Sequence, residues 1–177
     1  MIYLGIDPGV TGAVAAIYSN GTVTSVPLPV LKRASLSKKA KDRHYVDPLE
    51  LHRLLDKYRP IESVVFLERT QAGMKGAIAN YSLGHSSGVI MGVLAALRLN
   101  YTEVRPQEWK KMFGLLTAKA DRGMEKNAKA KKNKNASREV AQALFPSVSL
   151  KRVKDDGRAE ALLIAEYGRR IMTAVID

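Results

Sequence analysis

Short apolar runs bounded by turn residues characterise the beginning of the chain and recur twice further along it. Runs of this length, rich in β-branched residues, predict buried strands. The Asn20–Gly21 pair between the second and third runs is typical of a hairpin turn. The predicted strands are Ile2–Asp7, Ala13–Tyr18, Thr22–Leu28, Ser63–Leu67 and Tyr101–Val104.

Apolar residues at helical spacing fill the segments between and after the later strands. Asp47 and Pro48 form an N-cap and first-turn pair, and the helix that they begin ends at Arg59, before a proline. Strands that come first and then alternate with helices predict an α/β domain, in which a mixed five-stranded sheet has helices on both faces. The other predicted helices are Leu83–Leu99, Pro106–Phe113, Ser137–Leu144 and Arg158–Met172, and Gly73–Asn80 is predicted to be a loop.

Length and composition suit one compact domain over residues 1–177, because 46% of the 177 residues are hydrophobic. The chain has no cysteine, so a metal would have to be held by oxygen atoms or by the three histidines. The apolar stretch around Val89–Leu97 is too short to span a bilayer, and the N-terminus opens into a strand pattern without a basic leader. We therefore expect a cytoplasmic protein with no membrane partner.

The charge of the chain is strongly positive: 29 Lys and Arg oppose 17 Asp and Glu, which leaves a net charge of +12. Such a field attracts polyanions, with nucleic acid the first candidate, although an anionic membrane surface would answer to the same charge. Basic residues concentrate in Lys32–Arg43 and in Thr117–Arg138. Self-repulsion in the second run predicts a solvated, mobile loop over residues 117–138.

Two of the buried strands deliver a carboxylate to their carboxyl end. Asp7 follows the first apolar run and precedes the Pro8–Gly9 turn, and Glu68 follows Val64–Leu67. The carboxyl edge of the sheet is where α/β proteins place their chemistry. If the two strands are neighbours, the two acids repel each other unless a cation neutralises them.

A third acidic element opens the last predicted helix, where Asp156 and Glu160 are four residues apart and so share a helical face. Taken alone, the segment could be an N-cap followed by a favourable first-turn charge. The apolar residues around Glu160 instead indicate that the helix lies on the sheet and aims this acid inward, where an unpartnered carboxylate would be costly. Four such carboxylates predict a hard-metal site, and two magnesium ions about 4 Å apart would suit phosphodiester hydrolysis there.

These pieces together resemble the RuvC-like Holliday junction resolvases, in particular their phage-encoded branch. Each piece is weak alone, but all of them occur in order along nearly the whole chain. The matching segments are Gly5-Ile6-Asp7-Pro8-Gly9 with Thr11-Gly12, Val65-Phe66-Leu67-Glu68, Tyr81–Gly84 with Gly88–Leu94, Val104-Arg105-Pro106 with Trp109-Lys110-Lys111, and Asp156–Ala165.

The resemblance implies an RNase H-like fold and a homodimer that nicks opposed strands of a four-way DNA junction with magnesium, for which manganese could substitute. It makes Asp7, Glu68, Asp156 and Glu160 the catalytic and metal-binding acids. If the protein is phage-encoded, it would act in the cytoplasm of a bacterial host. The family usually places its last two acids three apart, so either Asp155 or Asp156 could be the ligand here. The family also usually has Asp where this chain has Glu160.

The resemblance also implies residues that contact the junction. Met74, in the loop Gln71–Gly76, could wedge between bases, although an ordinary surface methionine is the simpler interpretation.

Gly84, Gly88 and Gly92 form a smooth helical stripe suited to a dimer contact or to an internal helix crossing, and Trp109 is most simply a core residue. The candidate DNA-binding residues are Met74, Lys75, Lys110, Lys119, Lys129, Lys131, Lys132 and Lys134.

Other functions share parts of this pattern. Gly5–Gly12 resembles the phosphate loop of actin-like ATPases and sugar kinases, but those need two such domains around a nucleotide, so no nucleotide cofactor is expected. A flap or fork nuclease and an RNase H-type nuclease use the same metal chemistry. A non-catalytic DNA-binding module of the same fold is the alternative from a different class, and the complete set of acids argues against it.

Overall fold

The computed structural model describes residues 1–34, 43–59, 61–70, 76–116 and 126–174, without the side chains of residues 33 and 126–134. A short 3-10 turn, Val153–Asp155, leads into the last helix. The strands are β1 (Ile2–Asp7), β2 (Ala13–Tyr18), β3 (Val23–Pro27), β4 (Val30–Arg33), β5 (Arg43–Val46), β6 (Ser63–Glu68) and β7 (Tyr101–Val104), and the helices are α1 (Pro48–Asp56), α2 (Ala77–Ala96), α3 (Pro106–Met112), α4 (Lys126–Leu144) and α5 (Asp156–Thr173).

The main sheet has five strands in the order β3-β2-β1-β6-β7. Strands β1, β2 and β3 form antiparallel pairs, whereas β6 runs parallel to β1 and β7 parallel to β6. The predicted mixed five-stranded sheet is therefore confirmed. Because β1 and β6 are adjacent and parallel, Asp7 and Glu68 come to the same edge of the sheet as the last residues of their strands.

Alternate residues of each strand face opposite layers, since side chains in a strand have a period of two. Ile2, Leu4 and Ile6 of β1 belong to a core that includes residues of α1 and α2. Tyr3 of β1 and Phe66 of β6 belong to a second core, which is formed with residues of α3, α4 and α5. The same alternation turns Asp7 and Glu68 toward the α5 face.

Glycines allow α5 to lie directly on β1. A Cβ atom at Gly5 would be 2.2 Å from the carbonyl oxygen of Ala161, and one at Gly157 would be 2.1 Å from that of Thr11. Either contact is too short to exist, so any larger residue would push the helix off the sheet. This close approach carries the acidic start of α5 to the sheet edge that holds Asp7.

The structure differs from the sequence expectations in three elements. Strands β4 and β5, which contain the two ends of the first basic run, form a two-stranded hairpin that no apolar run indicated. Helix α2 begins at Ala77, inside the predicted Gly73–Asn80 loop. The prediction missed this start because the exposed first turn of the helix carries no apolar periodicity.

The third difference is the predicted loop over 117–138, which is wrong from Lys126 onward because α4 begins there. Lys and Ala make up most of this segment and are strong helix formers, so helix propensity outweighs the self-repulsion that the charge run predicted. Residues 117–125 lie outside the described part. No helix in the described ranges is both long and apolar enough to cross a membrane.

Candidate active site

Asp7 and Glu68 are each held by a specific hydrogen bond at the sheet edge. The backbone N–H of Gly9, in the turn after β1, donates to Oδ1 of Asp7 at 3.5 Å, a long bond. The indole Nε1 of Trp109 donates to Oε2 of Glu68 at 2.8 Å. Trp109 is completely buried, which confirms the predicted core position, but its bond to Glu68 was not foreseen.

Asp7 experiences the negative charge of two other acids. Burial raises the pKa of its carboxyl group well above the usual value, and repulsion from Glu160 and then from Glu68 raises it further. The N–H of Gly9 and the ammonium group of Lys110 act in the opposite direction. The structure thus brings Glu68 and Glu160 within electrostatic reach of Asp7.

Asp156, the first residue of α5, contacts a basic residue of α4. Its Oδ1 lies 2.9 Å from Nε of Arg138, and the two side chains are only 13% and 15% exposed. Arg138 also donates through Nη2 to the amide oxygen of Asn135, one turn earlier in α4. The predicted acid Asp156 is therefore at the site edge, but it is engaged by a cation that belongs to the chain itself.

The neighbouring Asp155 has a different environment. Its side chain accepts hydrogen bonds from the backbone N–H, Nε and Nη2 of Arg152 and from Nη1 of Arg158, and it is 2% exposed. The hydrogen bonds from the Arg152 side chain are the main reason that its pKa falls to about 2. Asp155 therefore closes the turn that leads into α5.

Lys110 lies at the same edge, on α3. Its ammonium group stands 4.9 Å from the centre of the Trp109 ring and lowers the pKa of Asp7 through space. Of the predicted DNA-binding residues, Lys110 is the one whose side chain the structure describes. Met74, Lys75 and Lys119 lie outside the described residues, and Lys129, Lys131, Lys132 and Lys134 belong to α4, where only their backbone is described.

The predicted metal ligands do not form a compact group. Among the side chains that the structure describes, no three acidic or histidine groups stand together as ligands of one metal. Glu68 bonds to Trp109, and Asp156 pairs with Arg138. The donor chemistry nevertheless fits a hard divalent cation, because the ligands on offer are carboxylate oxygens and the repulsion at Asp7 is one that a cation would relieve.

The glycine stripe of α2 lies open. Cβ atoms built at Gly84, Gly88 and Gly92 would meet nothing within 4 Å. The internal helix crossing, one of the two uses foreseen for the stripe, is therefore absent among the described residues.

The architecture is that of the RNase H-like class of α/β domains. Among solved structures, RuvC from Thermus thermophilus in complex with a Holliday junction substrate is similar over 98% of both chains, with a TM-score of 0.58 and 14% identity. A second structure of Thermus thermophilus RuvC matches over the same shares with a TM-score of 0.56 and 17% identity. These similarities show that the chain has the RuvC fold.

A third structure, the yeast mitochondrial Holliday junction resolvase Ydc2, matches over 96% of this chain and 78% of its own, with a TM-score of 0.46 and 16% identity. No protein-family model and no curated protein matches the sequence. The phage-type branch stays a prediction.

Proposed function

We propose that the chain is a divalent-cation-dependent endonuclease that nicks branched DNA and resolves four-way junctions. The observation that carries the proposal is the Asp7 carboxyl group, whose pKa is raised by its burial and by Glu160 and Glu68 at the carboxyl edge of the sheet. A folded chain retains such mutual repulsion at a cost in stability, and a functional cation offsets it. The RuvC fold and the net charge of +12 support DNA as the partner.

Asp7, Glu68 and Glu160 are the proposed ligands of the cation, which we expect to be magnesium or manganese. A divalent cation bound there would lower the pKa of water and stabilise negative charge on the phosphate. The chain's own groups orient the ligands: the N–H of Gly9 restrains Asp7, and the indole of Trp109 restrains one oxygen of Glu68. Such outer contacts set the direction of a ligand's lone pairs.

Lys110 is the proposed electrostatic partner of the scissile phosphate. Its charge already acts on Asp7, so it lies close enough to this edge to stabilise charge that develops on a phosphate placed there. Asp155 is set apart from this group by Arg152 and Arg158. These contacts argue against Asp155 as a ligand of the cation.

Resolution of a junction requires two cuts on opposed strands, and one set of acids provides one cleavage centre. We therefore propose a two-fold symmetric homodimer, the usual way for one chain to supply two equivalent sites. The open glycine stripe of α2 supports this part of the proposal, because nothing in the described chain covers Gly84, Gly88 or Gly92.

The proposal is tested by incubating the protein and magnesium with labelled four-way junctions, forks, flaps, RNA–DNA hybrids and linear duplex. We expect paired, symmetric nicks in the four-way junction and no cutting by Asp7→Asn. Preferential cutting of flaps, forks or hybrids would retain the nuclease and reject the junction. Binding of junctions without cutting in any divalent metal would identify a DNA-binding module instead.

A further inference from the structure

The Arg138–Asp156 pair lies where the family resemblance places a metal ligand. Nε of Arg138 and Oδ1 of Asp156 are 2.9 Å apart, and both side chains are mostly withdrawn from solvent. An ion pair in this environment is screened far less by water and salt than one on the surface. The carboxylate of Asp156 therefore has a positive partner within the chain.

Arg138 cannot give up its charge and is held from two sides. A guanidinium group remains protonated at every pH that a protein survives. Its Nη2 donates to Asn135, so the group bridges one turn of α4 to the first residue of α5. A metal ion that used Asp156 would have to displace this group or sit beside its charge, and both are unfavourable.

The surroundings of Asp7 differ from those of Asp156. Asp7 lies within electrostatic reach of two like charges, Glu160 and Glu68, as well as of Lys110, so a cation there relieves repulsion. A cation at Asp156 would instead break an existing attraction. The ion pair with Arg138 thus sets Asp156 apart from the acids around Asp7.

We propose that Arg138 is a positioning residue that withdraws Asp156 from the metal site, so that each chain binds one divalent cation, at Asp7, Glu68 and Glu160. Arg138 then supplies the positive charge that a second ion would bring. The inference rests on the proposed function, because it presupposes the cation site, and it departs from the two ions expected from the sequence.

The test is a manganese titration of the intact protein without DNA, in which electron paramagnetic resonance measures the concentration of free Mn²⁺. We expect one bound ion per chain in the wild type and in Arg138→Lys, which keeps the charge. Arg138→Gln should bind two, because Asp156 is released, and the double variant Arg138→Gln with Asp156→Asn should return to one. Asp156→Asn alone should leave the single ion and its affinity within a factor of two.

Two ions in the wild type, one ion in a folded Arg138→Gln, or loss of the ion in Asp156→Asn would each overturn the inference. Thermal unfolding followed by circular dichroism checks that the variants are folded. If Arg138→Gln is unfolded, the number of Mn²⁺ ions bound by Asp156→Asn tests the inference instead. Failure of the proposed function looks different: the wild type would then bind no ion, or Asp7→Asn would bind as many as the wild type.

Discussion

Nε1 of Trp109 lies 2.8 Å from Oε2 of Glu68 and donates a hydrogen bond to it. The ring belongs to the core under α5, whereas the carboxylate ends β6 at the sheet edge. A side chain buried in the core thus fixes the direction of an acid at the candidate site. The contact joins the stability of the α5 layer to the geometry of the site, so one substitution should affect both.

Trp109→Phe keeps an aromatic ring but removes the donor. We expect the free energy of unfolding to fall by about 1–3 kcal/mol, because a buried bond to a charged group is lost and the ring is smaller. Manganese affinity and cleavage should each fall about 10–100-fold, the usual effect of removing a group that orients a metal ligand.

Urea denaturation and manganese titration measure the two effects of Trp109→Phe. Tyr58→Phe is the matched control, since Tyr58 is buried in the opposite core and hydrogen bonded there. It should lower stability without changing manganese affinity. Equal losses of affinity in both variants would mean that Trp109 acts only through the stability of the fold.

Asp7→Asn, Glu68→Gln and Glu160→Gln should each reduce junction cleavage by roughly 100-fold or more, because each removes a proposed ligand. Junction binding should be unchanged or tighter, since one negative charge facing phosphate disappears. Cleavage assays with magnesium and gel-shift assays in EDTA measure the two quantities. Glu103→Gln, an exposed acid on β7, is the control and should retain full activity; full activity in Glu68→Gln would reject the site.

Asp155 should stabilise the fold in a pH-dependent way. Its folded-state pKa is about 2 because the Arg152 side chain donates hydrogen bonds to it, against a usual value of 3.8. The lowered pKa contributes about 2 kcal/mol to the free energy of unfolding at neutral pH. This contribution is fully present above the unfolded-state pKa, and it is lost as the pH falls through the folded-state pKa.

Urea denaturation at pH 5 and pH 2.5 should show Asp155→Asn as less stable than the wild type at pH 5, with most of the difference gone at pH 2.5. Asp56→Asn, in the exposed pair with Arg59, should show no such difference. A constant gap between Asp155→Asn and the wild type at both pH values would contradict the assignment of the effect to this ionisation.

The basic start of α4 is expected to bind phosphates. Reversal of Lys129, Lys131, Lys132 and Lys134 to Glu should weaken junction binding and flatten its dependence on salt, by about 0.9 in the logarithmic slope for each phosphate that is no longer neutralised. Binding measured over a series of salt concentrations gives this slope. Arg53→Glu with Lys57→Glu, on and after α1, is the control and should change the slope little; an unchanged slope in the α4 variant would show that the segment does not bind DNA.

The homodimer predicts an effect of mixing active and inactive chains. On a cruciform plasmid, paired cuts linearise the DNA, whereas a single cut only nicks it. Excess Asp7→Asn protein should shift the product of the wild type from linear to nicked as mixed dimers form. Undiminished linear product, together with a monomeric mass on the junction, would refute the dimer.

Much of the fold was predictable because its signals are local. Apolar runs identified all five strands of the main sheet, and the Asp47–Pro48 pair identified the start of α1. The hairpin β4–β5 and the first part of α4 were missed because charged residues dominate them. Charged residues indicate that a segment is exposed to solvent, but they do not show whether its backbone pairs as a strand or forms a helix.

The sequence by itself determined which acids could form a site, because strand ends and helical spacing place Asp7, Glu68 and Glu160 without knowledge of the whole fold. Only the tertiary structure decided what each acid contacts. In the structure Asp155 pairs with Arg152 and Arg158, which are near it in the chain. Asp156 pairs with Arg138 of α4, and Glu68 accepts a hydrogen bond from Trp109 of α3. Contacts between distant segments depend on how α3, α4 and α5 pack on the sheet, and the close approach at Gly5 and Gly157 sets how closely α5 lies there.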